Sequence, residues 1–318
     1  MKLDITINNA IDAKNISGVH NSNIKAIEDY YKIEIGINGS FVSISTDDMY
    51  TLSKVEDVFK ILLRMSELSL KITPRDVVYV INIAENNLYD AYIEFINNRK
   101  PLCNSIHNKP IYAKTLKQDE YLKCIQKKDL IFSIGAAGTG KTYLAVCYAV
   151  SELKKGNIEK IILTRPAVEA GESLGFLPGD LKEKVDPYLR PLYDALYDML
   201  GVENVTSMIE KQIIEIAPLA YMRGRTLENA FIILDEAQNA TIDQLKMFLT
   251  RLGFNSKMIV TGDISQVDLP NSKKSGLKVS ANLLKGLDEV GLIIFDKNDV
   301  VRHPLVAKII ERFEKLEE

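Results

Sequence analysis

The chain has 318 residues, 46% hydrophobic and 26% charged, the balance of a folded protein with room for two cores. Its 40 Lys and Arg against 43 Asp and Glu leave a formal net charge of −3, which excludes a global basic field for coating nucleic acid; any such binding must come from a local patch. Cys103, Cys124 and Cys147 are widely spaced and form no CxxC pair, and His20, His107 and His303 are scattered, so neither a zinc site nor a disulfide framework is expected. No apolar run approaches about 18 residues and "MKLDITINN" lacks the apolar core of a secretion signal, so the sequence reads as cytoplasmic with no membrane span.

In the first hundred residues the pattern is α+β in the order βαββα. "IKAIEDYYK" places Ile24, Ile27 and Tyr31 on one helical face, and "IEIGINGSFVSIS" alternates on either side of Asn38-Gly39, a type I′ hairpin signal. "DDMYTLSKVEDVFKILLRMSEL" predicts a long amphipathic helix with an Asp cap, and "TPRDVVYVINIAEN" a second one with Thr73 as N-cap and Pro74 first in the helix. "NNRKPLCNSIHNKP" then breaks the periodicity, dividing the chain into a domain over 1–100 and another over 101–318. Beyond the break, strands are predicted at about 129–134, 159–164, 214–219, 230–235, 257–261 and 290–295, alternating with helices, the last over about 304–317. That alternation is the signature of an α/β fold with a parallel sheet and flanking crossover helices.

"FSIGAAGTGKTYLAV" runs from a buried strand through a glycine-rich loop into a helix. Gly135-Ala136-Ala137-Gly138-Thr139-Gly140-Lys141-Thr142 fits G-x-x-x-x-G-K-[ST], in which backbone N–H groups cradle phosphates at a helix N-terminus. Lys141 is expected to neutralise the β- and γ-phosphates of ATP, and the Thr142 hydroxyl to ligate Mg2+. Far downstream, "AFIILDEAQN" sends an apolar strand into Asp235 and Glu236 at its C-terminal edge, where ligands bind in open α/β sheets. Asp235 is expected to hold Mg2+ through water and Glu236 to act as general base, a doublet that argues for hydrolysis. "KMIVTGDISQVDLP" ends a further apolar strand at Thr261-Gly262-Asp263, with Gln266 placed to sense the γ-phosphate.

Together "GAAGTGKT", "LDEAQN" and "TGDISQVDLP" resemble the first RecA-like domain of superfamily-1 helicases. "TRPAVEAGESLGFLPGDLKEKVDPYLRPLYDAL", followed by "YMRGRTLENAFIILDEAQN", resembles more narrowly the PhoH-like, phosphate-starvation-inducible ATPases. The resemblance implies a RecA-like P-loop NTPase that hydrolyses ATP with Mg2+, acts in RNA metabolism and forms a ring-shaped homo-oligomer such as a hexamer. Two modes stay open: an RNA helicase, or a non-motor ATP switch that loads or regulates a small RNA-processing endonuclease. Gln118 lies where superfamily-1 proteins carry an adenine-contacting glutamine. Near the amino terminus "ISGVHNSNIKAI" resembles the core of a KH domain, with Gly18-Val19-His20-Asn21 at the backbone-clamping loop and Asn in place of its second glycine.

Glycines 171, 175 and 179 punctuate the segment after Pro166, a loop type that builds substrate contacts. Around it Arg165, Lys182, Lys184, Arg190, Arg223 and Arg225, interleaved with acids, offer a local phosphate track. A single RecA-like domain also needs an arginine to meet developing charge on the γ-phosphate, supplied here by a neighbouring subunit. Arg302 in "NDVVRHPLVAKIIERF" is the first candidate for that role and Arg165 the second.

Overall fold

The structure, a computed structural model, describes residues 2–7, 9–38, 41–166, 181–270, 274–296, 299–300, 309 and 312, with the backbone alone at 2–4, 38 and 181–188. The chain forms two compact units, the first over Met1–Arg99 and the second over Lys100–Val301.

The first unit contains β1 (Lys2–Thr6), α1 (Ala10–Ser17), a 3-10 turn (Val19–Asn21), α2 (Ser22–Tyr31), β2 (Ile35–Asn38), β3 (Phe41–Ile44), α3 (Met49–Glu67), α4 (Pro74–Glu85) and α5 (Tyr89–Asn97). Its antiparallel sheet has the order β1-β3-β2. The expected βαββα order gains a helix, because the chain breaks at Gly18 and restarts as α2. Gly18 has φ +71°, and a Cβ there would lie 2.7 Å from the side chain of Asn23. Asn23 is buried and donates to the carbonyls of Asn15 and Ile72 at 3.2 and 3.4 Å, tying the break to the start of α4. Asn38, expected with Gly39 as the turn, is instead the last residue of β2 and pairs with Phe41, while Gly39 and Ser40 lie outside the described residues. The caps are those read from sequence: Asp48 accepts from the backbone of Tyr50 and Thr51, and Thr73 forms a capping box with Asp76.

The second unit opens with the short hairpin β4 (Cys103–Asn104) and β5 (Pro110–Ile111). There follow α6 (Leu116–Lys127), β6 (Leu130–Ile134), α7 (Lys141–Lys154), β7 (Lys160–Arg165), α8 (Leu181–Leu200), α9 (Val202–Glu210) and β8 (Ile214–Pro218). β9 (Ala230–Leu234), α10 (Ile242–Leu249), β10 (Lys257–Gly262), α11 (Leu277–Leu284) and β11 (Val290–Ile294) complete it. The strands form one parallel sheet of order β11-β6-β10-β9-β7-β8.

Alternation along each strand feeds two cores. Ile131, Ile161, Leu163, Phe231, Ile233 and Ile259 point to the face covered by α7, α8 and α9. Phe132, Ile162, Ile232, Leu234, Met258 and Val260 point to the other, with Phe248 of α10 and Leu277 of α11. Burial on both faces is why β9 reads as an unbroken apolar run and β6 as one interrupted only by Ser133. The parallel direction brings the C-terminal ends of β6, β7, β9 and β10 to one edge of the sheet.

Cys103 and Cys147 converge on Met199, each donating to its Sδ, at 3.7 and 3.6 Å, an approach that their sequence separation conceals. All three cysteines are free thiols. Among the described residues no helix is long and apolar enough to cross a membrane. Of the expected last helix, about 304–317, only residues 309 and 312 are described.

Phe132→Ala should lower stability by about 3–5 kcal/mol in a denaturant titration, since the side chain is fully buried in a tightly packed sheet. Phe254→Ser, at an 83% exposed position, should stay within about 0.5 kcal/mol.

Candidate functional site

β6 ends at Ile134, and the loop of residues 135–140 turns into α7, whose amide groups open toward the sheet edge. Gly138 and Gly140 hold φ of +87° and +83°, a region that side chains disfavour, and this curls the loop around its own interior. Lys141 begins α7, is 7% exposed, and donates through Nζ to the carbonyls of Gly135 and Ala136 at 2.6 and 2.8 Å and to Thr139 Oγ1 at 3.2 Å. The ammonium group is therefore centred in the loop that would wrap a phosphate.

One residue later, Thr142 Oγ1 donates to Asp235 Oδ1 at 2.6 Å, and Thr261 Oγ1 donates to the same oxygen at 2.8 Å. Asp235 leaves the end of β9, and its N–H donates to the carbonyl of Thr164 on β7. Asp235, through its carboxylate and its backbone N–H, thus joins the P-loop helix and three strands. A hydroxyl and a carboxylate side by side form a hard oxygen donor set that fits Mg2+, which prefers few protein ligands and keeps its waters. Among the described residues no cluster of three or more His, Cys, Asp or Glu side chains forms a metal cage.

Glu236 follows in a left-handed conformation, φ +52° and ψ +39°, which is uncommon for a residue with a long side chain. Glu236 Oε1 pairs with Arg165 Nη2 at 2.9 Å, and Oε2 accepts from Gln238 Nε2. Gln238, 1% exposed, uses its other end to accept from the N–H of Asp263 at 3.0 Å. Asp263 then accepts from the N–H of Ala137 in the P-loop at 3.0 Å, and from the N–H and hydroxyl of Ser265.

A cleft of about 500 Å3 runs between these groups, lined by the P-loop, by Asp235, Glu236, Gly262, Asp263 and Gln266, and by Pro191, Asp194 and Ala195 of α8. Tyr143 also lines it and donates to Asp198 at 2.7 Å; burial first, and that bond second, push its hydroxyl pKa up, so it stays a neutral donor.

The profile of the family described as PhoH-like protein matches residues 110–314. The PhoH-like protein of Bacillus subtilis strain 168 is 53% identical over 309 residues, covering 97% of this chain and 96% of that one. The chain belongs to the PhoH-like family. Another PhoH-like protein, from a Synechocystis strain, is 60% identical over 207 residues, covering 65% of this chain and 63% of its own. Among solved structures, a Pif1 helicase from Candida albicans overlaps 64% of this chain and 44% of its own at 13% identity, with a TM-score of 0.32.

Of the residues singled out in the sequence, the P-loop set from Gly135 to Thr142, Asp235, Glu236 and Gln266 all line or adjoin the cleft. Gln266 is exposed there, its N–H donating to the carbonyl of Asp263. Gln118 is not among the residues that line the cleft but packs under the P-loop. It is 3% exposed, its Oε1 accepts from the N–H of Lys114 at 2.7 Å, and its Nε2 donates to the carbonyl of Thr139 at 2.9 Å. In this conformation both ends of the amide are used as a strut under the P-loop. Arg165 is joined to Glu236 within the same chain. Arg225 is engaged with Glu215 at 2.5 and 2.7 Å, while Arg190 and Arg223 are exposed. Arg302 lies outside the described residues, as do the glycines at 171, 175 and 179; the side chains of Lys182 and Lys184 are likewise not described.

Sequence reasoning passed over Thr261, Gln238, Asp263 and Asp194 as working residues. The signal for the first three was present, since each lies in a motif already noted. Asp194 carried none, because its place on the cleft depends on how α8 packs.

Gln118→Ala should leave the part-buried N–H of Lys114 and the buried carbonyl of Thr139 without this partner. The expected cost is about 1–3 kcal/mol for each, read as a lowered melting temperature in the absence of nucleotide. A variant of parental stability that loses only its preference for ATP over GTP would instead mark Gln118 as a base contact.

Proposed function

We propose that the protein is a Mg2+-dependent ATPase of RNA metabolism, acting in the cytoplasm. The observation that carries this reading is the union of Lys141, Thr142, Asp235 and Glu236 on one cleft at the edge of the sheet. The P-loop amides and Lys141 bind the β- and γ-phosphates, a contact between charges in a dry loop and so a strong one. Thr142 and Asp235 supply the oxygen donors for Mg2+, which when bound neutralises charge on the phosphates. Glu236 accepts the proton of a water whose oxygen bonds to the γ-phosphorus, while the bond to the bridging oxygen breaks and ADP keeps that electron pair. Gln266 at the rim, bonded through its backbone to Asp263, reports the state of the γ-phosphate. Arg302, supplied by a neighbouring subunit of a ring, would meet the charge that develops there.

For the RNA side, support comes from the first unit. Its opening order β-α-α-β-β-α and the exposed turn after Gly18 support the KH-like reading of that unit. Asn21, where such loops carry glycine, holds φ +58°, a conformation that Asn tolerates, so the loop keeps its shape without the second glycine. Lys25 stands exposed on the following helix. A second reading, a non-motor ATP switch acting on an RNA-processing endonuclease, is favoured by one feature: the described residues hold one nucleotide-type sheet, whereas superfamily-1 motors work a strand between two.

Lys141→Ala should abolish tight ATP binding, measured by calorimetry. Glu236→Gln should keep that affinity and lower turnover by about 100-fold or more, because the proton acceptor alone is removed. Hydrolysis at the parental rate in Glu236→Gln would displace Glu236 as the base. Single-stranded RNA should raise parental turnover, and strand displacement separates the motor from the switch.

A further inference from the structure

Glu236, the base of the proposed reaction, is held on both sides. One oxygen is paired with Arg165 and the other accepts from Gln238, so both already receive donors from the chain. A carboxylate so engaged is a poor partner for a water proton. The two holders also differ in accessibility. Gln238 is buried and fixed at its far end by the N–H of Asp263, whereas the side chain of Arg165 is 21% exposed and that of Glu236 32%. Arg165 is the last residue of β7, at the sheet edge where ligands gather.

We infer that Arg165 is a positioning residue that restrains Glu236, and that the phosphodiester backbone of single-stranded RNA releases the restraint by drawing the guanidinium to itself. Phosphate oxygens would replace the carboxylate as acceptor for the guanidinium, so the exchange trades one charge-assisted contact for another. Guanidinium binds phosphate oxygens in a planar, two-pronged geometry at least as well as it binds a carboxylate. Once released from Arg165, Glu236 keeps its bond to Gln238, which holds the carboxylate at the cleft and ties it through Asp263 to Ala137 of the P-loop. The left-handed backbone at Glu236 fits such a device, since a strained residue sits between two arrangements. RNA binding and ATP turnover are thereby coupled through one side chain, with Arg165 reading the strand and Glu236 cleaving the nucleotide.

This inference rests on the ATPase reading, and the two can be separated in one set of assays. Mg-ATP turnover is measured for the parent, Arg165→Gln and Arg165→Lys, each with and without a single-stranded oligouridine. The parent should be slow alone and about tenfold faster with RNA. Arg165→Gln should be about tenfold faster than the parent without RNA, gain little on its addition, and keep the parental KM for ATP. Arg165→Lys, which keeps the charge and loses the fork, should fall between them and guards against a folding defect in the Gln variant. Adding Arg165→Gln to Glu236→Gln should change nothing, because the effect passes through Glu236. An Arg165→Gln protein no faster than the parent without RNA, or as responsive to RNA, would overturn the inference. So would a double variant faster than Glu236→Gln alone. Parental turnover that RNA does not raise would refute release by RNA and leave the ATPase reading standing; no turnover under any condition would sink that reading itself.

Discussion

One carboxylate oxygen, Oδ1 of Asp235, accepts the hydroxyls of Thr142 and Thr261 at 2.6 and 2.8 Å, and the rest of the site is arranged around it. Each donor belongs to a different element, the start of α7 and the end of β10, while Asp235 itself leaves β9. A buried charge is tolerated only when paired or hydrogen-bonded, and here the pairing also aligns the C-terminal ends of the strands. Both threonines must hold their hydroxyls toward Asp235, so the P-loop helix and the central strands keep one register with respect to each other. The parallel sheet supplies the precision this needs, with β6, β9 and β10 buried on both faces.

From that hub two lines of contact spread. One runs through Glu236, Gln238 and Asp263 to the N–H of Ala137, closing a circuit between the water-activating turn, the sensing loop and the phosphate loop. The other runs from Thr139 to Gln118 and on to Lys114, so that α6 braces the P-loop from below. The members of these lines are polar side chains and backbone groups, and Gln238, Asp263, Thr139 and Gln118 are nearly inaccessible to water. Such networks hold one geometry when complete and lose it together when a member is removed. Local change at Arg165, the exposed end of the first line, is therefore felt in the loop that binds phosphate.

Much of this was legible in the sequence, for physical reasons. Apolar runs ending in glycine or acidic residues can be strands only if buried on both sides, which located β6, β9 and β10 and placed Asp235 and Glu236 at their edge. The glycine-lysine-threonine turn needs no tertiary information, because its backbone demands are local. Polar side chains that act through partners were harder to read. The resemblance offers Gln118 as an adenine contact; that its amide also bridges Lys114 and Thr139 under the P-loop is something position along the chain does not express. The extra helix of the first unit, α1 before the loop at Gly18, was missed because its short stretch carries a single buried apolar residue, Ile16. The convergence of Cys103 and Cys147 on Met199 depends on the packing of α7 against α8, which spacing along the chain cannot express.

The central role of Asp235 is tested most directly by titrating ATP into the parent and into Asp235→Asn, each with Mg2+ and with EDTA. Asparagine keeps the size and an acceptor for Thr142 and Thr261 but removes the charge that holds the metal. The parent should bind ATP more tightly with Mg2+ than without, and Asp235→Asn should lose that difference while keeping its metal-free affinity. Equal gains from Mg2+ in both proteins would contradict the assignment of Asp235 as the carboxylate on which the site is built.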